Sequence, residues 1–217
     1  MSKPRPEPQP QLRPESLARL PMLARKFYDR DPRQAAPELL GKILVRGSGL
    51  RSLAARIVEV EVYLGAGDLA AHAAFGLTPR NAVLFGPPGH AYVYFTYGMH
   101  FCLNVSCMLP GEAGSVLFRA AEPLAGLAAM ARNRHLMLRE IRHPRILSSG
   151  PARLCQAFGI TRPRDNGKDL TSKRSDLRIV DDSFVPESIG ISKRIGITKS
   201  PDLPLRYYIA SSEFVSR

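Results

Sequence analysis

The stretch from Ala54 to Leu64, AARIVEVEVYL, constrains the fold more than any other part of the chain. Its centre, IVEVEVY, alternates branched apolar and acidic residues with a period of two. Only an extended strand turns that period into two distinct faces. Val58, Val60 and Val62 then share one face, and Glu59, Glu61 and Tyr63 share the other. The valine face has to be covered, so the strand belongs to a sheet with a core on that side. The glutamate face leaves two readings open. It is a solvated sheet face, or it is a carboxylate pair set beside an aromatic ring for chemistry. Two residues along a strand span about 7 Å, which overlaps the carboxylate separation of inverting glycosidases. Hydrolysis at an anomeric carbon is therefore one chemistry that the spacing allows.

Around this strand the pattern is mixed. Residues 1–16 hold five of the 19 prolines and few apolar side chains, which predicts a disordered arm. A helical period begins at Leu17 (Leu20, Leu23, Ala24, Phe27), and Asp31-Pro32 reads as an N-cap followed by proline at N1. Gly41 ends that helix and KILVR is a strand. A short polar helix is expected near residues 68–75. Then come three strands, HAYVYFTYG, HFCLNVSCM and SVLFRAAEP, the first two joined through a turn near Gly98. Residues 123–139 and 148–158 read as helices, and RIGITKS and LRYYIA as short strands. Strands adjacent in sequence, with helices before and after, predict an α+β fold. No linker interrupts residues 17–217, so one domain is expected after the arm.

Composition narrows the partners. Of 217 residues, 31 are Lys or Arg and 19 Asp or Glu, a formal charge of +12. Such an excess suits a polyanion. The arm accounts for only +1 of it. Segments 132–145 and 153–174 each carry +4, and these are candidate phosphate-tracking surfaces. Three cysteines, none in a CxxC pair, argue against a disulfide framework and for a reducing, intracellular compartment. The cytoplasm or nucleoid of a bacterium, or the nucleus of a eukaryote, is expected. No apolar run approaches the ~20 residues of a membrane span, so no membrane partner is expected. The five histidines show no metal-binding spacing and no phosphate-binding glycine loop occurs, so neither a metal nor a cofactor is expected.

Several side chains stand out. Tyr92, Tyr94 and Tyr97 fall within six residues, and flat aromatic faces can stack on bases. Ordinary strand propensity explains them equally. Asn104 lies opposite the apolar face of its strand. Arg119 sits in an apolar strand and needs an anionic partner if buried, with Glu59 or Glu61 the obvious acids. His72, alone, carries little.

As an ordered set the blocks say more. EVEVYLG, AAH, TPRN, AYVYFTYGMHFCLNVS, VLFRAAEP and SGPARLCQAFGI occur in this order. Together they resemble the alkyladenine (3-methyladenine) DNA glycosylase family, over about residues 17–211. The resemblance implies a single mixed domain around a curved antiparallel sheet flanked by helices, acting as a monomer on double-stranded DNA that contains damaged purines. It implies base-excision repair, in which the damaged nucleotide is flipped out and the base released. By the same resemblance Glu61 is the general base and Arg119 helps hold the water and the carboxylate. Tyr63, His72 and Tyr94 sandwich the base, Asn104 and Leu117 exclude normal purines, and Tyr97 wedges into the duplex. 3-Methyladenine, 7-methylguanine, hypoxanthine and ethenoadenine are the substrates it implies. No lysine is placed as a Schiff-base nucleophile, so hydrolysis without strand cleavage is expected.

Two other readings compete. A non-catalytic nucleic-acid-binding module could use the same aromatics and arginines. A carbohydrate hydrolase could use Glu59 and Glu61, although the chain has no Trp platform and its charge offers neutral sugars nothing. On the glycosylase reading, Glu59 is a supporting residue whose amide variant keeps most activity.

Overall fold

The computed structural model describes residues 14–96 and 98–216. Tyr97 and residues 1–13 of the expected arm lie outside them. Eight strands form one antiparallel sheet: β1 (Ile43–Arg46), β2 (Leu53–Leu64), β3 (Ala91–Thr96), β4 (His100–Cys107), β5 (Gly114–Ala125), β6 (Leu177–Val180), β7 (Ile189–Ser192) and β8 (Arg206–Ile209). Their order is β3-β4-β5-β2-β1-β6, with β8 pairing to both β2 and β7. The sheet curls into a half-barrel with helices packed on it, an α+β domain as the sequence predicts.

The expected strand is β2, and it organises the sheet. Its first residues pair with β1 (Arg46 opposite Leu53) and its later ones with β8 (Glu61 opposite Arg206). This change of neighbour coincides with an irregularity against β5. Ile57 faces Ala121 and Glu59 faces Ala120, then Val60 faces Phe118. An extra residue on one strand bends it and re-aims its side chains. Val60, Val62, Val93, Leu103, Val105, Val116 and Phe118 are all inaccessible and form the centre of the core. Fully burying each such side chain contributes roughly 1.5–3 kcal/mol. Contrary to the solvated-face reading, Glu59 and Glu61 are inaccessible too.

The helical expectations hold in part. Asp31 caps α3 (Pro32–Leu39) by accepting from the Arg33 amide at 2.7 Å, and Gly41 follows with φ +88°. No helix runs through residues 17–27. Instead α1 (Pro14–Leu17) precedes a bridge from Met22 to Val180, and α2 (Arg25–Tyr28) follows. Pro21 withholds the amide that a continuous helix needs. The expected helix at 68–75 is a run of turns. There the Asp68 carboxylate accepts from the amides of Leu64 and Ala70, so side-chain bonds replace helical ones. Residues 123–125 continue β5, and Gly126 (φ +79°) starts α4 (Leu127–Asn133). Gly150 (φ +118°) separates α5 (Arg145–Ser148) from α6 (Pro151–Ala157). A last short helix, α7, spans Arg162–Asp165. RIGITKS is a loop and the strand lies just before it, at β7. No helix among the described residues is long and apolar enough to cross a membrane.

Candidate active site

The sheet register draws one row of residues across five strands. Tyr92 on β3 lies opposite Asn104 on β4, Asn104 opposite Leu117 on β5, Leu117 opposite Glu61 on β2, and Glu61 opposite Arg206 on β8. Directly paired residues of antiparallel strands share a face. Tyr94, Cys102, Arg119 and Tyr63 lie two residues along their strands from this row and join the same face. The face carries the wall of a cavity of about 310 Å³, lined among others by Tyr63, His72, Tyr94, Asn104, Leu117 and Arg119. That volume is at the small end of the usual range for ligand pockets, about 300–1,000 Å³. Six of the eight residues singled out in the sequence thus meet at one cavity. Glu61 sits immediately behind its wall, and Tyr97 lies outside the described residues.

Glu61 is held from three sides. Its Oε1 accepts from the Ile195 amide at 2.7 Å and pairs with Arg119 at 3.2 Å, while Oε2 accepts from the Tyr63 hydroxyl at 3.0 Å. Burial raises its pKa above the ordinary glutamate value. Arg119, the Ile195 amide and the Tyr63 hydroxyl oppose the rise, and the charge of Glu59 adds to it. Such a carboxylate is a stronger base than one in water.

Glu59, two residues away, has its own set of donors. It accepts from Arg119 Nε (3.0 Å), Arg206 Nε (2.7 Å), the Ser216 amide (2.6 Å) and the Ser216 hydroxyl (2.8 Å). Arg119 therefore bridges both acids, which resolves its partner as Glu59 and Glu61 together.

The aromatic walls are equally fixed. His72 Nδ1 and the Tyr92 hydroxyl share a 2.8 Å hydrogen bond, and the imidazole meets Tyr94 edge-on with centroids 4.5 Å apart. Burial, then Arg80, lowers the His72 pKa, so the ring is neutral at pH 7. On the other wall the Arg194 guanidinium lies over the Tyr63 ring at 4.7 Å. Arg194 is pinned by a bidentate pair with Asp68, both side chains inaccessible, and by the Val62 carbonyl. Sequence reasoning missed Asp68, Arg194, Ile195 and Ser216. The last three lie 126 to 157 residues from their partners, and no local pattern marks them. Asp68 had a signal in its glycine-flanked turn, read above as a helix. Among the described residues no cluster of potential ligands could hold a metal ion.

A sequence profile described as Methylpurine-DNA glycosylase (MPG) matches residues 26–213. The chain belongs to this family. A relative from Koribacter versatilis is 60% identical over 201 residues, covering 93% of this chain and 96% of its own length. One from Burkholderia lata is 48% identical (90% and 91%), and one from Methanoculleus marisnigri 46% (88% and 96%). All three bear the name "Putative 3-methyladenine DNA glycosylase". Membership makes the chain a DNA glycosylase, a hydrolase of DNA repair. It removes the carbohydrate-hydrolase and non-catalytic readings.

Proposed function

We propose that the cavity receives a damaged purine flipped out of duplex DNA, and that Glu61 activates the water that releases it. One observation carries this reading: an inaccessible glutamate of raised pKa, paired with an arginine, directly behind an aromatic-walled cavity the size of a small ligand. Tyr63 on one side and His72 with Tyr94 on the other hold the flat base. Asn104 and Leu117, at the cavity floor, meet its edge and exclude normal purines. Tyr97, by resemblance alone, fills the gap left in the stack. Flipping costs a few kcal/mol, least for damaged or mispaired bases.

The chemistry is a single displacement. Water oxygen bonds to C1′ while the C1′–N9 bond breaks, and the bonding electrons leave with the base. Glu61 takes the proton from water, and Arg119 holds the carboxylate in line. A base alkylated at N3 or N7 is cationic and departs neutral. Hypoxanthine or ethenoadenine departs as an anion unless protonated, which asks more of Glu61. The substrates proposed are 3-methyladenine, which the relatives' names carry, together with 7-methylguanine, hypoxanthine and ethenoadenine. The protein acts as an intracellular monomer.

The test is single-turnover excision from duplexes that each carry one of these lesions, at matched salt, for wild type and Glu61→Gln. General-base removal is expected to cost about 10²–10⁴-fold, with binding to an abasic-site analogue retained. A Glu61→Gln enzyme that excises at the wild-type rate would falsify the assignment.

A further inference from the structure

On the sequence reading Glu59 is a supporting residue whose amide variant keeps most activity, and its surroundings assign it more. It is inaccessible, as Glu61 is, and the two acids share Arg119. The arginine is anchored at three points: Nε on Glu59, one terminal nitrogen on Glu61, and the other on the Ser216 hydroxyl at 3.3 Å. Ser216 in turn gives both its amide and its hydroxyl to Glu59. Its carbonyl accepts from Arg206, which also donates to Glu59. The preceding residue is fastened as well, the Val215 carbonyl accepting from Arg145 at 2.7 Å. The tail at 215–216 is thus built into the back of the site.

We propose that Glu59 and Ser216 form a clamp that positions Arg119, and through it Glu61, for the reaction. This rests on Glu61 being the general base. Neither Glu59 nor Ser216 lines the cavity, so neither touches the base; they act by fixing the groups that do. Glu59 has two jobs. It takes the Nε edge of Arg119, leaving a single terminal nitrogen for Glu61. Its own charge also faces Glu61 and favours protonation there. Without that charge Arg119 can turn wholly toward Glu61, which becomes a weaker base and is pulled from its place.

The direction of the pH effect follows from the groups around Glu61. Arg119 on β5 lowers its pKa, as do the Tyr63 hydroxyl on β2 and the Ile195 amide in the loop after β7. Glu59 raises it, and Arg206 on β8 faces Glu59. Arg194 stands behind Tyr63, and Cys102 with Tyr94 closes the cavity side. Loss of Glu59's charge removes a raising influence. Because Glu61 must be ionised to act, the acidic limb of the rate profile then moves to lower pH.

The experiment is single-turnover excision against pH, with melting temperature, on the full chain and duplexes bearing hypoxanthine or 7-methylguanine. The variants are Glu59→Gln, Ser216→Ala, Ser216→Thr, Glu61→Gln and Asp165→Asn. The last removes a buried acid that does not line the cavity and controls for lost stability. Glu59→Gln is expected to lose on the order of 10²-fold in rate, as misplacement by about 1 Å does, with its acidic limb at lower pH. Ser216→Ala loses several-fold, and Ser216→Thr, which keeps the hydroxyl, recovers most of that. Should Glu59→Gln fail to fold, the serine pair decides. Wild-type rates and limb in Glu59→Gln, or losses that track the folded fraction with the limb unmoved as in Asp165→Asn, overturn the clamp. Full activity in Glu61→Gln would instead overturn the general-base reading on which the clamp depends.

Discussion

Two acid clusters sit toward the two ends of β2, one half-buried and one buried, and their charges are balanced in opposite ways. At the Leu53 end, opposite Arg46, Asp165 and Asp176 meet three cations. Arg46 pairs with both acids (2.8 and 3.3 Å), Lys168 with both (2.9 and 2.5 Å), and Arg164 with Asp176 (2.9 Å). Burial pushes the Asp176 pKa up, but Lys168, Arg46 and Arg164 outweigh it and hold the carboxyl below its ordinary value. At the Tyr63 end, Glu59 and Glu61 divide Arg119, and Arg206 attends to Glu59 alone. Here burial wins and Glu61 is left avid for a proton. The same ingredients hold a carboxyl below its ordinary pKa where cations outnumber acids and leave one above it where they do not.

The largest effect that could break this contrast is on stability. Asp165→Asn leaves Arg46 only its longer pair with Asp176 and is expected to cost up to about 3–5 kcal/mol, the usual result of removing one partner of a buried pair. Chemical denaturation measures it, and excision per folded molecule should stay unchanged. A fall in that specific activity would mean that the far cluster is wired to the cavity. Next is Tyr63→Ala, which removes one wall. Stacking on an aromatic is worth about 1–3 kcal/mol per base, so binding to a lesion duplex should weaken by that much with little change for an undamaged duplex. Equal weakening of both would move recognition away from this wall.

The smallest effect is the most diagnostic. A carboxyl whose folded pKa exceeds its unfolded one adds stability at low pH and loses it as pH rises through the folded value. Ionised Glu61 is therefore a burden at neutral pH. Glu61→Gln should melt slightly above wild type at pH 8, and the gap should close as pH falls below the ordinary carboxylate range. The Asp176 pKa is lowered, so Asp176→Asn should do the reverse and melt below wild type at pH 8. If both variants shift the same way, the two ends of β2 do not differ as described.

How much of this was legible depends on sequence distance. The period of two at residues 57–63 announced β2, and Tyr92, Asn104 and Leu117 lay on strands whose alternation showed their faces. The Asp31-Pro32 start of α3 was equally plain. Helix and turn were confused where short polar bonds compete with the backbone, as at Asp68, and where one glycine ends a strand, as at Gly126. What no local pattern could show is that the glutamate face of β2 is covered as well as the valine face. That is decided by β8, by Ile195 and by Ser216, which arrive from the far end of the chain. The identities of the cavity residues came through the resemblance of ordered blocks, not through spacing, which left Glu59 and Glu61 equivalent.

The bond between Glu59 and Ser216 spans 157 residues, and this bears on how the protein is made. Chains emerge at about 5–20 residues per second, so Glu59 waits many seconds for its last two donors. Through that interval the sheet can pair but the carboxylate pair is only half neutralised, and contacts of such separation form late. A nascent chain still short of residue 216 therefore lacks two of the donors that hold Glu59, and on the clamp proposed above it lacks a seated Glu61. Excision competence should appear abruptly, with the docking of the tail, rather than grow as the sheet assembles.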